Sequence, residues 1–93
     1  MHSSEVQQAK FPTTKFRAGY DMAEVDNFLE GVRSTLLHWE AGRTGQIRGN
    51  EVVAKRFSIT KFRLGYDQDH VDNFLDLVTA TLNAYEIGGM PGR

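Results

Sequence analysis

The 93-residue sequence predicts an all-α fold: two tandem short-helix/loop/long-helix units that pair as a helical bundle or a coiled-coil-like pseudo-dimer. Three observations carry that expectation. The chain repeats itself under one ungapped shift, and each copy contains a long stretch with helical apolar spacing. A unit of roughly forty residues also buries too little surface to fold alone, so the two copies must share a core.

The repeat comes first because every later element is read twice. A shift of 46 positions carries Phe11 onto Phe57, Thr14-Lys15-Phe16-Arg17 onto Thr60-Lys61-Phe62-Arg63, and Gly19-Tyr20-Asp21 onto Gly65-Tyr66-Asp67. It continues through Val25-Asp26-Asn27-Phe28-Leu29 and Val71-Asp72-Asn73-Phe74-Leu75 to Glu40 and Glu86. The units run over 3–41 and 49–87, with a linker at 42–48 and a flexible tail at 88–93. Two copies are fewer than a solenoid needs.

Each unit divides into three parts. Ser4 to Lys10 and Asn50 to Arg56 read as short helical turns opened by a Ser or Asn cap. Phe11 to Tyr20 and Phe57 to Tyr66 read as extended loops, each ending in a glycine turn (Gly19, Gly65) suited to positive φ. Long helices are then predicted from Asp21 to about Ala41 and from Asp67 to about Ile87, each roughly 30 Å long. Asp21 caps the first with Glu24 three residues on, and Tyr20 and Val25 occupy hydrophobic-staple positions. In the second copy His70 replaces Glu24, so the box is lost and the cap kept. Gly42, and Gly88-Gly89 with Pro91 beyond, supply the C-terminal stops.

The apolar seam of the first helix is Val25, Phe28, Leu29, Val32, Leu36 and Trp39; that of the second is Val71, Phe74, Leu75, Val78, Leu82 and Tyr85. These are the predicted interface between units or between copies of the chain. Asn27 and Asn73 fall on the outward face, either against the other unit's loop or in solvent.

Charge is segregated although the net formal charge is only -1. Residues 1–20 sum to +2, 21–41 to -4, 42–65 to +5 and 66–87 to -5, so the long helices are acidic and the segments before them basic. Acidic helices argue against a groove-reading role, and no nucleic-acid partner is expected. The absence of cysteine removes disulfides, thiolate nucleophiles and thiolate metal sites, and fits a reducing, cytoplasmic setting. No apolar run reaches the eighteen or so residues of a membrane span.

Catalytic chemistry finds no foothold. His2, His38 and His70 lie far apart at non-equivalent repeat positions, and Gly42 and Gly45 lack the phosphate-loop spacing and its lysine. No catalytic residue, metal site or cofactor is expected, and the chain reads as a non-enzyme. The one sharp feature is a phenylalanine set between two cations in each loop: Lys15-Phe16-Arg17 and Lys61-Phe62-Arg63. An inserted phenylalanine contributes about 1.5 to 3 kcal/mol at a membrane surface. Each neighbouring cation adds about 1 kcal/mol on an anionic leaflet. The alternative is that Phe16 and Phe62 pack into the shared core, the place expected of Phe11 and Phe57.

The order Val, five steps to Phe, then Phe-Arg, Gly-Tyr-Asp and Glu-Val-Asp-x-Phe-Leu (with His70 for the Glu in the second copy) resembles the N-terminal domain of DivIVA, the bacterial division-site and cell-pole protein, and covers nearly the whole chain twice. The resemblance is to short tandem DivIVA-type repeats of actinobacterial proteins. It implies a parallel dimer of short helices and crossed loops leading into a coiled coil, with an exposed Phe beside an Arg on curved membrane. Those positions correspond to Phe16 with Arg17 and Phe62 with Arg63. Two departures stand out: Ala18 or Leu64 separates Arg from Gly, and glycines stand where the family's long coiled-coil tail begins. The resemblance implies a scaffold module of cell division or polar growth, cytoplasmic and peripheral at the inner face of the cell membrane at a septum or pole. Its expected partners are an anionic membrane surface, division or cell-wall proteins, and a second copy in a homodimer unless the two units pair within one chain. A protein-binding adaptor without membrane contact is the alternative.

Overall fold

In the computed structural model, which describes residues 1–88, each unit contributes a short helix, two very short strands and a long helix. The order is α1 (Ser3–Gln8), β1 (Thr13–Thr14), β2 (Gly19–Tyr20), α2 (Met22–Glu40), α3 (Gly49–Ala54), β3 (Ile59–Thr60), β4 (Gly65–Tyr66) and α4 (Gln68–Gly88). The all-α expectation is therefore wrong. The fold is mixed, four helices with a four-stranded antiparallel sheet of order β1-β4-β2-β3.

The segments read as extended loops are the strands, and they pair between units, never within one. Thr13 and Thr14 face Tyr66 and Gly65, Gly19 and Tyr20 face Thr60 and Ile59, and Tyr20 meets Tyr66 in the centre. Two-residue strands cannot stand alone; each unit completes the other's sheet. The loop glycines are not explained by positive φ, which among described glycines occurs only at Gly42. A Cβ on Gly19 would sit 2.9 Å from the Tyr66 carbonyl oxygen, and one on Gly65 2.9 Å from that of Tyr20, so the central strands meet where only glycine fits.

Long-helix boundaries follow the caps. The Asp21 carboxylate accepts from the Glu24 backbone N–H at 3.0 Å. Gly42, at φ +80, closes α2: its N–H donates to Trp39 and the Arg43 N–H to His38, the paired bonds of a Schellman end. The short helices start earlier than predicted and stop earlier too: their N-caps are His2 and Arg48, not Ser4 and Asn50. The deciding contacts are tertiary. The Ser3 N–H and hydroxyl donate to Glu40 at 2.7 and 2.8 Å, and the Gly49 N–H donates to Glu86 at 2.8 Å. Each short helix is thereby clamped to the end of its own long helix.

Val25, Leu29, Val32 and Leu36, with Val71, Leu75, Val78, Leu82 and Tyr85, are buried, while Phe28, Trp39 and Phe74 are half-buried against them. Trp39 stacks on Tyr85 with centroids 5.2 Å apart, and Tyr20 pairs with Tyr66 at the opposite end of the helices. Equivalent residues meeting at both ends make α2 and α4 parallel, with a pseudo-two-fold axis running between them. The 42–48 linker is not a free tether. Ile47 is half-buried beside Gly31 and its N–H donates to the Thr35 hydroxyl, so the chain returns along the back of α2 before α3 begins. The predicted tail at 88–93 lies outside the described residues except Gly88, which is the last residue of α4. Truncating Leu36 to alanine, fully buried on this axis, is expected to cost about 2–5 kcal/mol, checked by denaturant unfolding.

Candidate functional site

The loops between strands carry the Lys-Phe-Arg triplets, and the sheet sets where they lie. Phe16 is 84% exposed and Phe62 78%, so neither enters the core; Lys15, Arg17, Lys61 and Arg63 are exposed beside them. Phe11 and Phe57 do go inward, each onto the other unit. Phe11 meets Tyr66 and Phe74 at 5.3 and 5.6 Å, and Phe57 meets Tyr20 and Phe28 at 5.3 and 5.8 Å.

Each loop is held by the opposite unit's helix cap. Arg17 pairs with Asp67 at 2.8 Å and Arg63 with Asp21 at 3.5 Å. Because a pseudo-two-fold axis parallel to the long helices relates the loops, both lie at the sheet end of the molecule. The tips are not identical: Phe62 adopts φ +62, a left-handed conformation that costs a non-glycine residue about 1–2 kcal/mol.

Side chains to which the sequence assigns local staple and capping roles instead tie the units together. The Tyr20 hydroxyl donates to Asp72 and the Tyr66 hydroxyl to Asp26, both at 2.7 Å. Burial, then the Asp72 bond, pushes Tyr20 up to about 12; the Asp26 bond, then burial, does the same for Tyr66. Glu24 does not fold back on its own cap. It accepts from the Ser58 hydroxyl and N–H at 2.7 and 2.8 Å, and these bonds hold its carboxyl below the usual range. On the pseudo-equivalent side Pro12 and His70 replace Ser58 and Glu24, and His70 turns to Asp67 instead, lowering that carboxyl. Asn27 and Asn73 are exposed; the neighbouring aspartates make the cross-unit bonds.

These shifts fix a pH dependence. Carboxyls held low in the folded state stabilise it above their unfolded values, 4.5 for Glu24 and 3.8 for Asp67, and lose that contribution as pH falls through the folded values. Tyrosines held high stabilise below 10.0 and lose it between 10.0 and about 12. Melting temperatures measured across pH are expected to fall at both extremes. Tyr20→Phe/Tyr66→Phe is expected to remove most of the alkaline fall, and Glu24→Gln to blunt the acid one.

Two grooves flank the helix pair, and every residue lining the smaller has its 46-shifted counterpart in the larger. The larger, about 580 Å³, lies between α3, β3 and α4, with Val52, Phe57 and Leu75 as floor, Val53 and Ile59 on the rim, and Asp72 and Asp76 on one wall. Its counterpart between α1 and α2 is about 160 Å³. The sequence signal was present but unread: where the copies diverge, Gln7, Thr13 and Arg33 become Val53, Ile59 and Thr79. Val53 and Ile59 are 63% and 51% exposed.

The seam residues named from sequence lie in the core shared by the units, with Phe28, Trp39 and Phe74 half-buried at its edge. Among the described residues no group of His, Asp or Glu could hold a metal ion, and no helix is long and apolar enough to cross a membrane. No protein-family model, curated protein or solved structure matches the chain.

Proposed function

We propose that this chain is a non-enzymatic, DivIVA-like scaffold module of cell division or polar growth that rests on an anionic membrane surface through its two Lys-Phe-Arg tips. The observation that carries this reading is the exposure of both Phe16 and Phe62, each beside basic side chains, at one end of a pseudo-symmetric molecule. Burying both rings adds about 3–6 kcal/mol, since the second insertion follows the first without a new encounter. Co-sedimentation with phosphatidylglycerol-containing vesicles tests it. The wild type is expected to bind more weakly as salt rises, and Phe16→Ala/Phe62→Ala to lose a hundred-fold or more in affinity while keeping its helical circular dichroism. A wild type that stays in the supernatant ends the membrane reading.

The second reading, an adaptor for protein partners, is favoured by the larger groove. Its floor is apolar, and on its wall Asp76 has no ion-pair partner among the described residues, whereas the equivalent Glu30 is paired with Arg33 at 2.9 Å. Lys55 and Arg56 line the groove beside Asp72 and Asp76, so it is balanced in charge and suits a neutral partner segment with bulky apolar side chains. Acetyl-leucyl-glutaminyl-leucine amide, titrated into the isotope-labelled chain, is expected to shift the amides of Phe57, Ile59 and Asp76. No shift at about 10 mM peptide would remove this reading.

A further inference from the structure

We propose that an uncharged partner segment docks as a fifth strand along the free edge of β3, its backbone bonded to that of Ile59 and its apolar side chains laid over the larger groove. The inference rests on the docking reading above and deepens it: it names the backbone groups that hold the partner. In the sheet order β1-β4-β2-β3 the last strand has a neighbour on one side only. Which of its backbone groups are engaged follows from the register. Along an antiparallel strand, every second residue turns both its N–H and its C=O toward a given neighbour. The Asp21 N–H donates to the Ser58 carbonyl at 2.9 Å, and Tyr20↔Ile59 and Gly19↔Thr60 continue the pairing. Ser58 and Thr60 therefore face β2, and the N–H and C=O of Ile59 between them face outward. An open edge of this kind is a template for a second extended chain.

The side chains fit the same occupant. Phe57 and Ile59, two residues apart, both line the groove, so they stand on one face of the segment. A strand paired with β3 places alternate side chains on that face, beside Ile59 and over Phe57, where Val52 and Leu75 continue the apolar floor. Charge selects a neutral segment, because Lys55 and Arg56 stand against Asp72 and Asp76, and the Lys55 ammonium already lies over the Phe57 ring at 5.6 Å. The opposite edge is an internal control. The Asp67 N–H donates to the Pro12 carbonyl at 2.8 Å, so Thr13 of β1 turns its backbone outward by the same register. That edge offers a threonine beside a groove of about 160 Å³; β3 offers an isoleucine, 51% exposed, beside one of about 580 Å³.

The test uses the full isotope-labelled chain, acetyl-leucyl-glutaminyl-leucine amide and two N-methylated forms of that peptide. In an added strand the leucine N–H groups point at β3 and the glutamine N–H points away. Methylating both leucine nitrogens is expected to weaken binding about ten-fold or more, and methylating the glutamine nitrogen to leave it nearly unchanged. The parent peptide is expected to shift the Ile59 amide and slow its exchange with solvent, with no such change at Thr13. Ile59→Thr, which gives β3 the residue β1 carries, is expected to weaken binding several-fold; the side chain is half in solvent, so this variant remains folded, which thermal melting checks. Equal binding by all three peptides, or equal loss in both methylated forms, would leave docking standing and overturn the added strand. Unchanged binding by Ile59→Thr, or an equal response at Thr13, overturns the choice of β3. No shift with the parent peptide would end the docking reading and this inference with it.

Discussion

Replacing Gly65 with valine is expected to leave the chain unfolded at room temperature. A Cβ there would overlap the Thr60 hydroxyl, whose residue is 1% exposed and has nowhere to retreat, and would lie 2.9 Å from the Tyr20 carbonyl oxygen. Overpacking alone costs about 1–3 kcal/mol. Here it also forces β4 away from β2, and with it the pairing that joins the two halves of the sheet. A domain of this length has a total stability of about 5–14 kcal/mol, so the combined loss takes most of it. Gly42→Ala is the contrast. It meets nothing within 4 Å and is strained only by φ +80, so about 1 kcal/mol is expected. Circular dichroism and amide dispersion check both. A Gly65→Val chain melting within a few degrees of wild type would refute the close approach of the central strands.

Cutting the chain within 42–48 is expected to be nearly as severe at low concentration and to be reversible by mixing. A separated half has no partner for either of its strands, and its inward phenylalanine loses the aromatic rings of the other unit. The linker holds the units at an effective concentration in the millimolar range. Two fragments at about 10 µM therefore lose about 2.7 kcal/mol, and a single fragment loses the whole shared core. Each half alone should give a coil-like spectrum. The equimolar mixture should recover helix with a midpoint that rises with concentration. Either half folding alone as a monomer would contradict the exchanged sheet.

The sequence carried the parts of this fold that depend on residues close together in the chain. Spacing along α2 placed Val25, Leu29, Val32 and Leu36 inside, and Asp21 and Gly42 marked its ends by local capping chemistry. The sheet was illegible because its strands are two residues long, too short for any alternation to register, and because every rung joins residues of different units. The glycines at 19 and 65 were noticed for the wrong reason. Local logic offers positive φ, whereas the requirement comes from a strand 46 residues away. The exposure of Phe16 and Phe62 was likewise undecided by sequence, since an aromatic flanked by cations suits core and surface equally. The grooves were hidden by the repeat itself, because matching identities drew attention from Arg33 and Thr79, where the copies disagree.

The one-sided bond between Glu24 and Ser58 has a consequence for self-recognition. If two copies of the first unit met, each Glu24 would face a Pro12, which has no N–H to donate; if two of the second met, each Ser58 would face a His70. Only the unlike pair seats the carboxylate. The halves are thus complementary and not interchangeable: first unit with second is favoured over first with first or second with second. The discrimination is vested in two positions on each side, Pro12 and Glu24 in the first unit and Ser58 and His70 in the second.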